Sequence, residues 1–160
     1  MNTNSELSQE EVSAMLDGLV SGATIGDVIN MDPGVLEAGY GLAYSLYNAG
    51  NYKDAETMFK ALCIYDHTDE RFWMGLAGCR QMNGDLGGAI DAYAYGAYAA
   101  GLNNPAPAVH GGLCYVKLGD KENAISLFKA ALEMGDKDNS EHRAYHERAR
   151  AMLEMLEKGE

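Results

Sequence analysis

The sequence predicts an all-α fold of stacked helix pairs, and two observations carry that prediction. The first is a period of 34 to 35 residues, visible in Gly50, Gly84 and Gly119. Four more columns keep this register: Ala55, Ala89 and Ala124; Phe59, Tyr93 and Phe128; Ala43, Ala77 and Gly112; Leu62, Gly96 and Ala131. The second is that a helix-capping residue follows each glycine, so every period holds one helix end and one helix start.

A 34-residue period with a central glycine, small residues at helix crossings and a following aromatic residue is typical of the tetratricopeptide repeat. This repeat class implies a right-handed superhelix. A repeat domain is expected over 33–138, with repeats at 36–69, 70–103 and 105–138. The predicted helix pairs are 36–48 with 52–65, 70–82 with 86–100, and 105–117 with 121–134. Between the second and third pairs, the segment AAGLNNPAPA predicts a bend, since its glycine and prolines interrupt helices.

Residues 1–32 predict an N-terminal helical arm. Ser8 and Glu11 form a candidate capping box for a short helix that is apolar on one side. Its apolar residues are Val12, Met15, Leu16, Leu19 and Val20. The helix is too short to be stable alone, so it must pack on its own array or on another subunit. The stretch TIGDVINMDPG predicts a short turn of helix halted by Asp32 and Pro33.

Residues 139–160 predict a terminal capping helix and tail. The string SEHRAYHERARAMLEMLE places Ala144, Arg148, Met152 and Leu156 at i+4 steps, with Ala149 and Leu153 beside them. Such a helix, polar on its outer face, covers the open end of a repeat array.

Composition argues against several classes of partner. The formal net charge of −12 disfavours nucleic acid, because phosphate binding needs clustered Lys and Arg. The N-terminus lacks a basic segment followed by an apolar core, and no window approaches about 18 uninterrupted apolar residues. We therefore expect a cytoplasmic protein that does not bind membranes directly.

Neither a metal site nor a catalytic site is indicated. Cys63, Cys79 and Cys114 are widely spaced without a CxxC pair, which favours small buried packing residues. His142 and His146 lie four apart on one helix without a third ligand, so a solvated surface pair is the favoured interpretation over a metal-dependent enzyme. No Ser/His/Asp or Cys/His set stands out. We expect a non-enzymatic protein without a cofactor.

The predicted concave surface is aromatic and aliphatic. In tetratricopeptide repeats the first helix of each pair lines the concave side at positions 2, 5, 9 and 12. Positions 5, 9 and 12 hold Tyr40, Tyr44 and Tyr47 in repeat one, Met74, Gly78 and Gln81 in repeat two, and Val109, Leu113 and Val116 in repeat three. The tyrosines could instead be core residues, but Leu42 and Leu76 already supply an inward stripe, which favours a binding groove.

The stretch ALCIYDHTDERFWMGLAGCRQ, followed by DAYAYGA, resembles the class II type III secretion chaperones, tetratricopeptide proteins that hold translocator subunits. The resemblance covers residues 33–135. It implies a chaperone that binds two hydrophobic translocators, keeps them unaggregated until export, and accepts an extended segment in the concave groove. Some members also bind a transcriptional activator.

The resemblance also assigns roles to residues. Groove positions match at Tyr40, Tyr44, Tyr47, Tyr65, His67, Met74, Tyr93 and His110. The N-terminal helix resembles the family's dimerisation arm, which implies a homodimer of the free protein through Val12, Met15, Leu16, Leu19 and Val20. The alternative is a general scaffold or co-chaperone that clamps acidic peptide tails. That group places Lys, Asn and Arg where this chain has Tyr40 and Tyr44, which disfavours it.

Overall fold

The computed structural model describes residues 7–158, and these residues form nine α-helices without any strand. The helices are α1 (Gln9–Val20), α2 (Ile25–Val28), α3 (Pro33–Asn48), α4 (Tyr52–Tyr65), α5 (Glu70–Met82), α6 (Leu86–Ala99), α7 (Ala106–Leu118), α8 (Lys121–Glu133) and α9 (Ser140–Lys158). From α3 onward each helix packs on the next, while α3 also contacts α5 and α7 also contacts α9. The three predicted helix pairs are therefore α3 with α4, α5 with α6, and α7 with α8.

The turns within the pairs follow from glycine chemistry. Gly50, Gly84 and Gly119 adopt φ values of +79°, +87° and +76°, the left-handed conformation that ends a helix. Two of the three predicted caps form, since the side chains of Asp85 and Asp120 accept hydrogen bonds from backbone N–H groups of the following helix.

Asn51 does not cap α4 with its side chain, because its amide instead donates to Asp54 at 2.6 Å. Prolines also act differently from the prediction at two points. Pro33 is the first residue of α3 rather than a stop for α2, and Pro107 lies in the first turn of α7. Both positions tolerate proline, since the N–H groups of a first turn have no partner within the helix.

Aromatic rings packed against glycines set the distance between neighbouring helices. Phe59 of α4 is 1% exposed, and a Cβ placed on Gly75 of α5 would lie 2.3 Å from its ring. In the third pair, a Cβ on Gly112 would lie 2.7 Å from the ring of Phe128. The rings fill the space that the missing side chains leave, so the helices approach more closely than alanine would allow.

The core forms two clusters. The larger cluster joins the first two helix pairs around Phe59, Phe72 and Leu76. The smaller cluster joins the third pair to α9 around Phe128, Ala149 and Leu153.

Two predicted inward stripes need correction. Leu42 is 54% exposed, whereas Leu76 is buried as expected. The difference arises because α3 is the first helix of the array, and no earlier repeat covers that side.

On α9 the buried residues are His146, Ala149 and Leu153, whereas Ala144 and Arg148 are exposed. The packed face is therefore rotated from the predicted i+4 stripe.

The N-terminal arm packs only loosely on the array. Ser8 and Glu11 form the predicted capping box, with Glu11 Oε2 accepting from Ser8 N at 2.8 Å. Helix α1 contacts α2, and α2 reaches α4, but α1 buries none of its residues. The predicted apolar side stays open to solvent. Residues 1–6 of the predicted arm and residues 159–160 of the predicted tail lie outside the described residues.

The packing of Phe59 on Gly75 predicts opposite effects for two glycine-to-alanine changes. Gly75→Ala overpacks the core, which costs about 1–3 kcal/mol, and gains about 0.5–1 kcal/mol of helix propensity. We expect a net loss of about 1–2 kcal/mol in urea denaturation, because a methyl group at 2.3 Å from the ring cannot be accommodated without a shift.

Gly41→Ala is the matched control on α3, where nothing lies within 4 Å of the added Cβ. It should stabilise the protein by about 0.5–1 kcal/mol. A Gly75→Ala protein as stable as the wild type would show that the close approach does not limit the packing.

Candidate functional site

A groove of about 410 Å³ runs along the concave side of the array. Helices α3 and α5 form its long walls, and α6, α7 and α9 contribute its far end. Six of the eight groove residues expected from the sequence line it: Tyr40, Tyr44, Tyr47, Met74, Tyr93 and His110. The repeat positions account for Tyr40, Tyr44, Tyr47 and Met74, whereas Tyr93 and His110 were expected only from the resemblance.

The α3 wall is a row of tyrosines at i, i+4 and i+7. Tyr40 and Tyr44 stack with their ring centroids 6.1 Å apart, and Tyr47 meets Tyr52 edge to face at 5.2 Å. Tyr44 is 52% exposed, while Tyr40 and Tyr47 are half-buried. Each ring is thus held by packing on one side and offers its other side to the groove, which suits a binding surface.

The opposite wall, on α5, includes the glycines Gly75 and Gly78, which add no side chains to it. A Cβ on Gly78 would lie 3.4 Å from the Tyr47 ring, which is ordinary van der Waals contact, so glycine leaves open the space that an alanine would fill. Met74 and Gly75 line the groove on the same helix. Small and flexible residues across from a tyrosine row leave room for a chain to lie between the two walls.

Arg71 is a groove residue that the sequence analysis missed. Its guanidinium lies 4.9 Å from the centre of the Tyr40 ring and pairs with Glu37 at 2.5 Å and Asp69 at 2.6 Å. The hydrogen bonds that Arg71 donates to Asp69 and, second, to Glu37 raise the pKa of Arg71 above its usual range. The arrangement orients the Tyr40 ring, while both acidic partners neutralise the charge.

The far end of the groove is built around His110. Its ring stacks on Tyr93 with centroids 5.5 Å apart and meets Tyr145 of α9 edge to face at 5.8 Å. Tyr93 donates its hydroxyl hydrogen to Gln81 Oε1 at 3.0 Å. Burial is the main cause that lowers the pKa of His110 and raises the pKa of Tyr93. Both rings are therefore uncharged near neutral pH.

An acidic rim borders the same end. Asn104 donates to Glu70 Oε1 at 2.5 Å, and burial is the main cause that raises the pKa of Glu70. Glu141 of α9 also lines the groove. The repeat pattern could not have located Glu141 or Tyr145, because α9 lies outside the repeats.

Two of the expected peptide-binding residues lie elsewhere. Tyr65 ends α4, and His67 occupies the exposed turn that follows, near α2 of the arm. The His67 carbonyl accepts a hydrogen bond from Trp73 Nε1 at 2.9 Å. Neither side chain lines the groove, so their assignment to peptide binding stays a prediction.

The third repeat contributes less to the groove than its positions predicted. Val109 is fully buried, and Leu113 and Val116 pack against the same core cluster. Helix α9 packs on α7 and supplies Tyr145 to the groove in their place. His110, one position after Val109, lines the groove from this helix together with Ala106.

The His142 and His146 pair is not the solvated surface pair expected from the sequence. His146 is 2% exposed, and its Nε2 donates to the Met134 carbonyl at 2.8 Å. His142 Nδ1 accepts from the backbone N–H of Asp136 at 2.9 Å. The two rings fasten α9 to the loop that precedes it. Within residues 7–158 no group of three or more His, Cys, Asp or Glu side chains is placed to hold a metal ion.

The predicted thiol packing is confirmed, since Cys63, Cys79 and Cys114 are all buried free cysteines. Burial is the main cause of their raised pKa values, which reach about 12 for Cys63 and about 11 for Cys79. Such thiols are poor nucleophiles and poor metal ligands, because both roles need the thiolate.

The apolar side of α1 forms a second exposed surface. Leu16 and Val20 are 57% and 89% exposed, and Val12 and Leu19 also face solvent, whereas Met15 is half-buried. Among the described helices, none has the length and hydropathy that crossing a bilayer requires.

Comparison with known proteins identifies the repeats and several similar proteins. Profiles of the tetratricopeptide repeat match residues 40–105 and 110–134. Low calcium response locus protein H of Yersinia pestis is 37% identical over 149 residues, which cover 92% of this chain and 87% of that protein.

Two solved chaperones are similar in sequence and structure. SycD, the type III secretion translocator chaperone of Yersinia enterocolitica, has a TM-score of 0.76 and 35% identity, covering 84% of this chain and 98% of its own; it has also been solved as an alternative dimer. PcrH from Pseudomonas aeruginosa, solved with the chaperone binding region of PopD, has a TM-score of 0.74 and 37% identity, covering 80% of this chain and 95% of its own. PcrH has also been solved with the chaperone binding region of PopB.

The buried position of His110 predicts a pH-dependent stability. Its pKa is lowered from the ordinary 6.5 in the folded protein, so the unfolded chain takes up a proton at a higher pH than the folded one. The free energy of unfolding should therefore fall as the pH drops below 6.5, by about 1.4 kcal/mol for each unit that separates the two pKa values.

Urea denaturation of wild type and His110→Phe between pH 7.5 and about 5 measures this contribution, since phenylalanine keeps a stacked ring without a titrating group. We expect a shallower decline for the variant. Parallel curves for the two proteins would assign the acid sensitivity to other groups.

Proposed function

The chain belongs to the family of type III secretion translocator chaperones, and we propose that its tyrosine-lined groove holds an extended segment of a translocator. The observation that carries this proposal is the row of Tyr40, Tyr44 and Tyr47, ordered by packing but open to the groove. An exposed apolar trough of this kind marks an interaction site. PcrH, a relative with the same fold, has been solved with the binding regions of two partners.

The groove favours an extended, mainly apolar segment over a charged one. Apolar side chains of the segment would bury against the tyrosines and Met74, each contributing on the order of 1.5–3 kcal/mol. Ordering the segment would offset part of this gain. Micromolar affinity is therefore expected for a short peptide, with tighter binding of the whole translocator through additional contacts.

The proposed chaperone role requires no catalytic step. The chain would bind its translocators in the bacterial cytoplasm, keep their apolar segments from aggregating and release them for export. Such a role depends on reversible burial of apolar surface, which the uncharged rings of the groove provide. Binding of a transcriptional activator, which only the resemblance implies, stays a separate prediction.

A co-chaperone that clamps carboxylate tails is disfavoured by the electrostatics of the groove. Its one lining guanidinium among the described residues, Arg71, is already paired with Glu37 and Asp69. Glu70 and Glu141 line the same groove. An acidic peptide tail would meet these carboxylates without an available cation to bind it.

The arm is proposed to form the homodimer of the free protein. Helix α1 buries no residue in its own chain, although Leu16, Leu19 and Val20 lie on one side of it. A second copy would remove this surface from water. SycD, a similar protein, has been solved as an alternative dimer.

Groove binding is tested with peptides scanned from a translocator that becomes soluble only when co-expressed with the chain. Tyr40→Ala and Tyr47→Ala should each weaken binding by at least about 1 kcal/mol in a fluorescence titration, because each ring supplies buried contact area. Leu118→Ala removes an exposed side chain outside the groove, so it is the control and should bind as the wild type does. Unchanged affinity in both groove variants, with helicity intact by circular dichroism, would reject the proposal.

Dimerisation is tested on the arm. Deleting residues 1–20 should shift the sedimentation profile toward monomer, since the exposed apolar side of α1 is removed. Leu16→Glu should act in the same direction, because it places a charge where the second copy would pack. Asp17→Asn, one position away, is the control and should leave the profile unchanged. A dimer that survives both the deletion and Leu16→Glu would exclude the arm as the interface.

A further inference from the structure

The second helices of the three pairs differ sharply on their outer surface. Helix α4 carries four charged residues and α8 also carries four, whereas α6 carries Asp91 alone in fourteen residues. At matching repeat positions, Lys60 of α4 and Lys129 of α8 correspond to Ala94 of α6. The outer face of α6 therefore lacks the charged side chains that α4 and α8 carry.

Aromatic residues occupy the same face. Tyr95 and Tyr98 are 58% and 79% exposed. Tyr95 stacks on Trp73 of α5 with ring centroids 4.8 Å apart, and the Trp73 indole N–H is fastened to the His67 carbonyl. Trp73 is itself a departure, because the matching positions of the other repeats hold Gly39 and Ala108. We call Trp73, Asp91, Ala94, Tyr95 and Tyr98 the aromatic patch.

The aromatic patch is separate from the groove. Tyr93 and Tyr95 lie two positions apart on α6, which turns their side chains about 200° away from each other. Tyr93 reaches the groove, whereas Tyr95 faces outward with Tyr98. A segment lying in the groove cannot cover the patch.

A helix that is apolar on every side is normally covered by protein. The inner side of α6 is covered by α5 and α7, but its outer side is not. We propose that an apolar helical segment of the translocator, distinct from the segment held in the groove, docks on the aromatic patch. This inference rests on the proposed chaperone function and adds a second binding surface to it.

Helical geometry and charge favour a cargo helix as the occupant. Asp91, Ala94, Tyr95 and Tyr98 follow one another at helical spacing, and the small Ala94 leaves a hollow between ridges into which another helix can pack. The patch has one carboxylate and no cation, so it selects a helix that is apolar and not acidic.

A second copy of this chain fits less well. Each copy carries a formal charge of −12. A two-fold contact through the patch would bring two acidic copies together and would enclose the Asp91 carboxylate of each copy without a cation from the patch. Helix α1 carries only acidic charges, at Glu10, Glu11 and Asp17, so an arm laid on the patch would add negative charge near Asp91. Both arrangements place like charges together, which opposes association.

The sister helices supply the test substitutions. The double variant Ala94→Lys and Tyr98→Glu gives α6 the residue types that α8 holds at Lys129 and Glu133, so the helix should still form. The control combines Thr57→Glu on α4 with Ser126→Lys on α8, which adds one acid and one base at exposed positions elsewhere. Circular dichroism and thermal melts confirm folding of both variants.

Each protein is titrated with two probes: the groove peptide and the full-length translocator defined by co-expression. The patch variant should bind the peptide within about twofold of wild type but the full-length translocator at least about tenfold more weakly. The control should match wild type for both probes. Full-length binding by the patch variant equal to that of the control overturns the proposal.

A photocrosslink identifies the occupant independently of affinity. Tyr98→p-benzoylphenylalanine in the co-expressed complex should crosslink to an apolar helical segment of the translocator, and Ser126→p-benzoylphenylalanine should not. A crosslink from position 98 to a second copy of the chain overturns the proposal in favour of self-association. Failure of the groove itself is distinguishable, since it appears as peptide binding that Tyr40→Ala and Tyr47→Ala leave unchanged.

Discussion

The structure depends on how closely neighbouring helices approach where an aromatic ring meets a glycine or alanine. Phe59 against Gly75 and Phe128 against Gly112 are the tightest examples. Because the rings pack against one side of the first helix in a pair, the opposite side of that helix stays uncovered. These uncovered sides border the groove. The same side chains that stabilise the stack therefore create the groove, and a change at a crossing alters both the packing and the width of the trough.

Most of the fold could be predicted because each repeat encodes its structure locally. Glycines such as Gly84 end helices, acidic residues such as Asp85 start them, and the period transfers the boundaries from one repeat to the next. Predicted burial is wrong at the two ends of the array, where the period no longer applies. Leu42 was expected inside, but the first helix has no preceding neighbour, and His146 was expected in solvent, but α9 packs its face on α7 and α8.

One wall of the groove could also be predicted from the repeat period. Tyr40, Tyr44 and Tyr47 follow from repeat positions on one straight helix. The far end did not, because Tyr145 belongs to a helix outside the repeats and displaces Val109 from the predicted surface. Arg71 was missed for another reason. Its place beside Tyr40 depends on ion pairs with Glu37 and Asp69, and side-chain pairing across helices leaves no periodic signal.

The three buried cysteines have a practical consequence for the chemistry of this molecule. Their thiols are shielded by packing, and their pKa values are raised, so little thiolate exists at neutral pH. The folded chain should thus react slowly with maleimides and mild oxidants. A single cysteine introduced on the surface would therefore react with a dye or spin label in preference to the native thiols. Distances could then be measured without replacing the native cysteines.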